Sequence, residues 1–99
     1  MNAAALAPKV YDAHCRAFDR TCVRWALLRD CERERWRIVA ARVLAHEPID
    51  RLDGRRMFDA WAYEINPKPW ARLDREQRMR WTRMTWDVQD ALMRDEGAA

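Results

Sequence analysis

The chain has 99 residues, of which 49% are hydrophobic and 35% are charged, and its 19 basic and 16 acidic residues leave a formal net charge of +3. This length supports one domain with a modest core, and two glycines with four prolines are too few turn-forming residues for a sheet protein. The small net charge excludes a strongly basic nucleic-acid-binding domain, and no apolar run approaches the about 18 residues that a membrane-spanning helix needs.

Two helices are predicted before residue 47. Helix 1 is expected to begin near Pro8, because proline suits a first helical position. Its apolar stripe has the spacing of one helical face and comprises Tyr11, Cys15, Phe18 and, as an optional last member, Cys22. A connection from Asp19 to Trp25 follows, and helix 2 is predicted from about Asp30 to His46. The core stripe of helix 2 comprises Trp36, Val39, Ala40 and Val43.

Two further helices are predicted in the second half. Helix 3 opens after Asp53-Gly54 and ends at Asn66-Pro67. Helix 4 is expected to begin at Asp74, with Gln77 three residues later completing a capping box, and to reach about Arg94. Its core stripe comprises Trp81, Met84, Thr85, Val88 and Leu92.

One pattern, W-A-x-L-x-x-x-x-R-x-R-W, occurs twice, at 25–36 and again at 70–81. Upstream of each copy, 11–13 (Tyr-Asp-Ala) matches 58–60 (Phe-Asp-Ala). A duplicated unit of this size is one supersecondary piece. We therefore predict an all-α single domain of four helices, built as two helix–linker–helix repeats. The repeats are expected at 9–46 and 56–93, with a linker at 47–55 and a frayed tail at 94–99. Matching ion pairs are also expected, Asp12 with Arg33 and Asp59 with Arg78.

Helix 4 carries a second apolar stripe that the core does not explain. Met79, Trp86 and Met93 recur every seven residues, roughly 140° around the helix from the core stripe. One interpretation buries this stripe between the repeats, with Trp86 against Ala41 and Ala45 of helix 2. The other leaves it exposed as a docking surface, since tryptophan and methionine are enriched at protein interfaces.

Three cysteines, Cys15, Cys22 and Cys31, with no signal peptide at the start predict free thiols in a reducing, cytoplasmic setting. Together with His14 they could supply zinc ligands, but their spacing fits no compact ligand pair. Acidic residues alternate with arginines along the helices and do not converge on a pocket. We therefore predict no catalytic residue, no metal and no cofactor.

A basic segment at the start of helix 4 supplies the alternative of nucleic-acid binding. Its candidate contact residues are Lys68, Arg72, Arg75 and Arg83. Arg78 and Arg80 are expected instead in internal pairs, or covering Trp81 by a cation–π contact.

The chain resembles small helical proteins encoded by bacteriophages and prophages, many of which carry a Pro-Trp-x-x-Leu linker followed by a helix with arginine and tryptophan, as at 69–73 and 78–81 here. The layout is also distantly similar to ryanodine-receptor-type repeats, from which the first copy departs at Asp12 and Arg16. The resemblance implies a small non-catalytic product that binds a host or phage protein, in the manner of CRISPR inhibitors.

The expected function is therefore a protein-binding module that occupies a surface of a host protein. Its predicted contact residues are Met79, Trp86 and Met93, with Arg75 and Arg83 beside them. Nucleic-acid binding is the alternative, and a homo-oligomer formed through helix 4 is a third possibility. The expected location is the cytoplasm of a bacterial host, with no membrane partner.

Overall fold

A computed structural model describes the backbone of residues 1–46, 49–62 and 69–98, and the side chains of 1–46, 50–62 and 69–94. These residues form four α-helices and no strand, as predicted. The helices are α1 (Ala3–Ala17), α2 (Asp30–Ala45), α3 (Gly54–Ala62) and α4 (Arg75–Ala98). Short 3-10 turns lie at Trp25–Leu27, Ile49–Arg51 and Trp70–Arg72.

Helix α1 begins five residues earlier than the proline rule predicts, so the expected start near Pro8 is wrong. The side chain of Asn2 caps the helix, with its Oδ1 accepting from the Ala5 N–H at 2.8 Å. Leu6 and Ala7, ahead of the proline, are fully buried. Burial of this first turn outweighs the backbone hydrogen bond that Pro8 cannot donate inside the helix.

The starts of the other three helices agree with the predictions. Helix α2 begins at Asp30, and the Asp53 carboxylate caps α3 by accepting from the Arg56 N–H at 2.9 Å. The predicted capping box of α4 is present: the Gln77 N–H donates to Asp74 Oδ1 at 2.8 Å, and the Asp74 N–H donates to Gln77 Oε1 at 3.3 Å. Helix α4 continues past its expected end at Arg94, whereas the expected end of helix 3 at 66–67 lies outside the described residues.

Two aromatic triads, one in each repeat, have nearly the same geometry, and they comprise Tyr11, Trp25 and Trp36, and Phe58, Trp70 and Trp81. The Tyr11 ring lies 5.9 Å from that of Trp25 and 5.6 Å from that of Trp36. The Phe58 ring lies 5.9 Å and 5.4 Å from the equivalent indoles. In each repeat, then, the linker tryptophan and the long-helix tryptophan flank one ring of the short helix.

The matched ion pairs expected within each repeat are wrong. Arg33 Nη1 donates to the Ala26 carbonyl at 3.1 Å, and Arg78 Nη2 donates to the equivalent Ala71 carbonyl at 3.0 Å. Asp12 and Asp59 are exposed and do not pair with these arginines. The guanidinium groups instead satisfy carbonyls of the 3-10 turns, which a turn of this length leaves without helical partners.

The core lies where α1 packs against both α2 and α4, while α3 packs against α4. Its largest fully buried aliphatic side chains come from all four helices: Leu6, Val10, Val39, Val43, Met57, Met84 and Val88. Because α1 of the first repeat contacts α4 of the second, the two repeats share one core.

A disulfide joins Cys15 to Cys22, so the expectation of three free thiols is wrong for these two residues. Asp19 adopts a left-handed φ of 49°, and the Arg20 N–H donates to the Cys15 carbonyl at 3.0 Å. This turn reverses the chain after α1 and brings the two Cα atoms within 6.2 Å of each other, a separation typical of disulfides. Cys31 remains free and exposed. The cytoplasmic location, which was inferred from free thiols, stays a prediction.

Candidate partner-binding face of α4

Three large apolar side chains stand on one exposed side of α4, and we call them the apolar face: Met79, Trp86 and Met93. Their exposed fractions are 40%, 58% and 68%. The interpretation that buries this stripe between the repeats is therefore wrong, and the three residues predicted to bind a partner are accessible together.

The helix arrangement explains why the apolar face is uncovered. The opposite side of α4 supplies Trp81, Met84 and Val88 to the core, where α1 and α3 cover it. Helix α2 packs against α1 and α3, and its Ala41 and Ala45 are exposed instead of covering Trp86. Since α1 lies between α2 and α4, the alanine side of α2 cannot reach the apolar face.

The start of α3 borders the apolar face along one edge. A Cβ placed on Gly54 would lie 2.7 Å from Thr82 Oγ1 and 3.0 Å from the Thr82 nitrogen, so α3 and α4 meet there with no room for a side chain. Just beyond, Gln89 Nε2 donates to the Leu52 carbonyl at 3.0 Å. These contacts place the start of α3 along Thr82 and Gln89, which lie one helical turn from Trp86 and Met93 on α4.

Arg75 and Arg83 lie close to the apolar face by helical position and are exposed. Neither forms an ion pair with a described residue. Nearby charges are already paired within the chain: Arg80 with Glu76 at 2.9 Å, Arg16 with Asp87 at 3.4 Å, and Arg94 with Asp90 at 2.9 Å. On the described part of α4, the charges beside the apolar face that have no ion pair are therefore positive.

The basic residues proposed for nucleic acid are only partly brought together. Arg72 is exposed in the 3-10 turn before α4, near Arg75, and Arg83 lies about two turns further along α4. Lys68 lies outside the described residues.

The expected internal role of Arg78 and Arg80 is confirmed. The guanidinium carbon of Arg78 lies 5.7 Å from the centre of the Trp70 ring. The cation–π contact is therefore with Trp70, whereas the sequence suggested Trp81 as the ring. Arg80 Nη1 donates to the Ala17 carbonyl at 2.9 Å and to the Asp19 carboxylate at 3.1 Å. Both guanidinium groups therefore make contacts within the protein that stabilise the fold.

His14, considered only as a candidate zinc ligand in the sequence analysis, forms an aromatic junction between the repeats. Its ring stacks on Phe18 at 4.7 Å and on Trp61 at 5.9 Å, and it lies 5.1 Å from Trp36 and 5.6 Å from Trp81. Burial, with a smaller contribution from the nearby Arg20 charge, lowers the pKa of His14 to about 4. The imidazole is therefore neutral near pH 7. When the two repeats are aligned at 11–13 and 58–60, His14 corresponds to Trp61. This match to an aromatic residue is the sequence feature that indicates an aromatic role for His14.

His14 lines two cavities. The larger, which we call the His14 cavity, has a volume of about 420 Å³ and is lined by His14, Phe18, Arg20, Phe58, Trp61, Leu73, Gln77 and Trp81. The smaller has a volume of about 280 Å³ and is lined by His14, Arg20, Glu32, Arg35, Trp36 and Trp61. The long-helix residues correspond between the cavities, because Trp36 and Glu32 of the first repeat align with Trp81 and Gln77 of the second.

No helix in the described part of the chain has the length and hydropathy to cross a bilayer. In the same residues, no group of histidine, cysteine and acidic side chains is placed to hold a metal ion. No family model, no curated protein and no solved structure matches the chain. The functional assignment therefore depends on the apolar face and the charges beside it.

Proposed function

We propose that this protein is a non-catalytic protein-binding module that occupies a surface of its partner with the apolar face of α4. The observation that carries the proposal is Trp86, whose indole is 58% exposed between two exposed methionines on a helix that already fills the core with its other side. Tryptophan dominates binding energy where it enters a partner's pocket, and methionine adapts to the partner's shape.

The partner surface is an apolar groove with an acidic rim. Helix α4 has 24 residues and is about 36 Å long, so a groove can receive it lengthwise. A stable interface buries about 800 Å² on each side. One apolar stripe on a convex helix reaches that area only if the partner wraps around it. The unpaired Arg75 and Arg83 favour carboxylates at the rim, which would steer association.

The class of partner to test first follows from the resemblance to small phage-encoded proteins. A host protein of a bacterial defence system, such as a CRISPR-type complex, is the proposed target, and inhibition by blocking its surface is the proposed action. This part of the proposal rests on the shared linker and arginine-helix pattern at 69–81.

The substitution Trp86→Ala tests the apolar face. We expect it to weaken partner binding by about 2 kcal/mol or more, which is about thirtyfold, because the anchor of the interface is lost. The measurement is calorimetric titration of a purified defence complex with each variant. Circular dichroism should show an unchanged fold, since the indole is outside the core.

The matched control is Leu27→Ala, which removes another exposed apolar side chain, 72% exposed, from the 3-10 turn before α2. It should bind as the wild type does, whereas Arg83→Glu should slow association with an acidic groove. Equal affinity of the Trp86→Ala variant and the wild type would exclude the apolar face as the binding surface.

Nucleic-acid binding remains a second candidate because Arg72, Arg75 and Arg83 are all exposed and none has an ion pair with a described residue. Three phosphate contacts to duplex DNA would give a slope of about −3 when the logarithm of the binding constant is plotted against the logarithm of salt concentration. Fluorescence anisotropy with a labelled duplex measures this, and the absence of binding at low salt would exclude nucleic-acid binding.

The third possibility, a homo-oligomer formed through helix α4, is tested by the molar mass of the protein in solution, which light scattering measures.

A further inference from the structure

We propose that the His14 cavity is a binding site for a small planar aromatic carboxylate. The site lies between α1, α3 and α4 and is separate from the apolar face of α4. Its features are an aromatic lining, an imidazole that makes no hydrogen bond to a described residue, and an arginine that makes no ion pair within the described part of the chain.

The aromatic lining suits a flat ring. The cavity volume of about 420 Å³ falls within the usual size of small-molecule sites, which are lined mainly by apolar and aromatic groups. The Phe58 and Trp81 rings meet edge to face at 5.4 Å, and Trp61 lies 5.1 Å from Trp81. Ring faces and edges at these angles offer a planar ligand stacked and edge-on contacts at once.

His14 is a largely buried polar side chain in the cavity wall. The residue is 5% exposed, and its ring makes aromatic contacts but no hydrogen bond to a described residue. A neutral imidazole has one N–H donor and one acceptor nitrogen. A carboxylate oxygen in the cavity would accept from the imidazole N–H.

Arg20 supplies the charge that selects an anion. It lines the cavity, is exposed, and has no ion pair with a described residue. A guanidinium group offers two parallel donors that match a carboxylate. Gln77 adds neutral donors, because its Oε1 accepts from the Asp74 N–H and leaves its amide N–H groups available.

The smaller cavity shows why the ligand belongs in the larger one. Where the larger cavity has the neutral Gln77, the smaller has Glu32. The hydrogen bond from Arg29 lowers the pKa of the Glu32 carboxyl, so it is negative near neutral pH. Arg20 and Arg35 also line the smaller cavity, so Glu32 places a negative charge among positive ones there. The volume of about 280 Å³ is the feature that makes the smaller cavity less suited to a fused ring.

The test is calorimetric titration of the full chain with 2-naphthoate and, in parallel, with 2-naphthylmethylammonium. The two probes share a ring system and carry opposite charges. We expect saturable one-to-one binding of 2-naphthoate and at least tenfold weaker binding of the cation. Equal affinity for both probes, or no binding of 2-naphthoate at millimolar concentration, would overturn the proposal.

Variants assign the contact residues. Arg20→Gln should weaken binding of 2-naphthoate about tenfold or more, whereas Arg24→Gln, an exposed arginine on the same loop that does not line the cavity, should leave it unchanged. His14→Phe keeps the aromatic packing and should weaken binding severalfold. Trp86→Ala should have no effect, which separates this site from the apolar face. Equal loss in the Arg20→Gln and Arg24→Gln variants would show non-specific attraction and contradict the proposal.

Discussion

Gly54 shows how one absent side chain sets the distance between two helices. The position is helical, so alanine would fit the backbone, and in an open helix that change would stabilise the protein by about 1 kcal/mol. Here the added Cβ would lie 2.7 Å from Thr82 Oγ1 and 3.0 Å from the Thr82 nitrogen. The Thr82 nitrogen belongs to the backbone and cannot rotate away. The steric contact therefore outweighs the gain in helix propensity, and the substitution destabilises the protein.

We expect Gly54→Ala to lower the free energy of unfolding by about 1–3 kcal/mol, the usual cost of overpacking. Urea denaturation measures it. In a Thr82→Ala background, which removes Oγ1 and leaves the backbone clash, the same substitution should cost less, and the difference gives the coupling between the two residues. A stabilising effect in the wild-type background would mean that α3 and α4 do not approach this closely.

The 3-10 turns at Trp25–Leu27 and Trp70–Arg72 are the elements in which the two repeats agree most closely. Each begins with a tryptophan that packs on the short helix, and each has a carbonyl that accepts from an arginine one turn into the following long helix. Arg78 makes two further contacts, to the Trp70 carbonyl at 3.3 Å and to the face of the Trp70 ring.

Arg33→Ala and Arg78→Ala should each lower stability by about 1–2 kcal/mol, because each leaves a turn carbonyl without its charged donor. The loss should be larger for Arg78→Ala, which also loses the ring contact, because the further partner of Arg33 is the exposed Asp30 carboxylate and an exposed ion pair contributes little. Thermal unfolding followed by circular dichroism measures both. Arg75→Ala, which makes no such contact, serves as the control, and an equal loss in all three variants would contradict the proposed role of the turns.

The disulfide also restrains the connection between elements, because it joins the last turn of α1 to the loop that leads to Trp25. The bridged residues are seven apart in sequence. Closing so short a loop restricts the unfolded chain and stabilises the fold by about 2 kcal/mol. The double variant Cys15→Ser, Cys22→Ser should therefore melt at a lower temperature than the wild type. Cys31→Ser should not, because Cys31 is free. A reductant that leaves the melting temperature of the wild type unchanged would contradict this.

At the scale of the whole molecule, His14 couples the two repeats. Its ring contacts Trp36 of its own repeat and Trp61 and Trp81 of the other, so the shared core depends on an imidazole that stays neutral. Its pKa falls from 6.5 to about 4 on folding. The unfolded chain therefore binds a proton more readily than the folded one between these values, and stability decreases as pH falls through that window.

We expect the free energy of unfolding to decrease by about 3 kcal/mol between pH 7 and pH 4 because of this one group. Urea denaturation at stepped pH measures it. The His14→Phe variant removes the titrating ring and should lose correspondingly less stability over the same range, although its carboxylates still titrate. Parallel curves for the variant and the wild type would show that His14 is not buried as a neutral ring.

Local sequence by itself determined the four helices, most of their starts and the two equivalent tryptophan linkers. Apolar periodicity, caps such as Asp74 with Gln77, and the repeated motif act over one to three turns, so they can be read along the chain. The start of α1 was missed because burial of Leu6 and Ala7 overrode the preference of Pro8 for a first turn.

Only the tertiary structure decided which apolar stripe of α4 is covered, what Arg33 and Arg78 bind, that Cys15 meets Cys22, and that His14 joins the repeats. Periodicity places Trp81 and Trp86 on different sides of a helix, but both are apolar, and the choice between them depends on where neighbouring helices pass. Because α1 lies against both α2 and α4, it separates the alanine side of α2 from Trp86. That arrangement depends on contacts between residues distant in sequence, which no local pattern encodes.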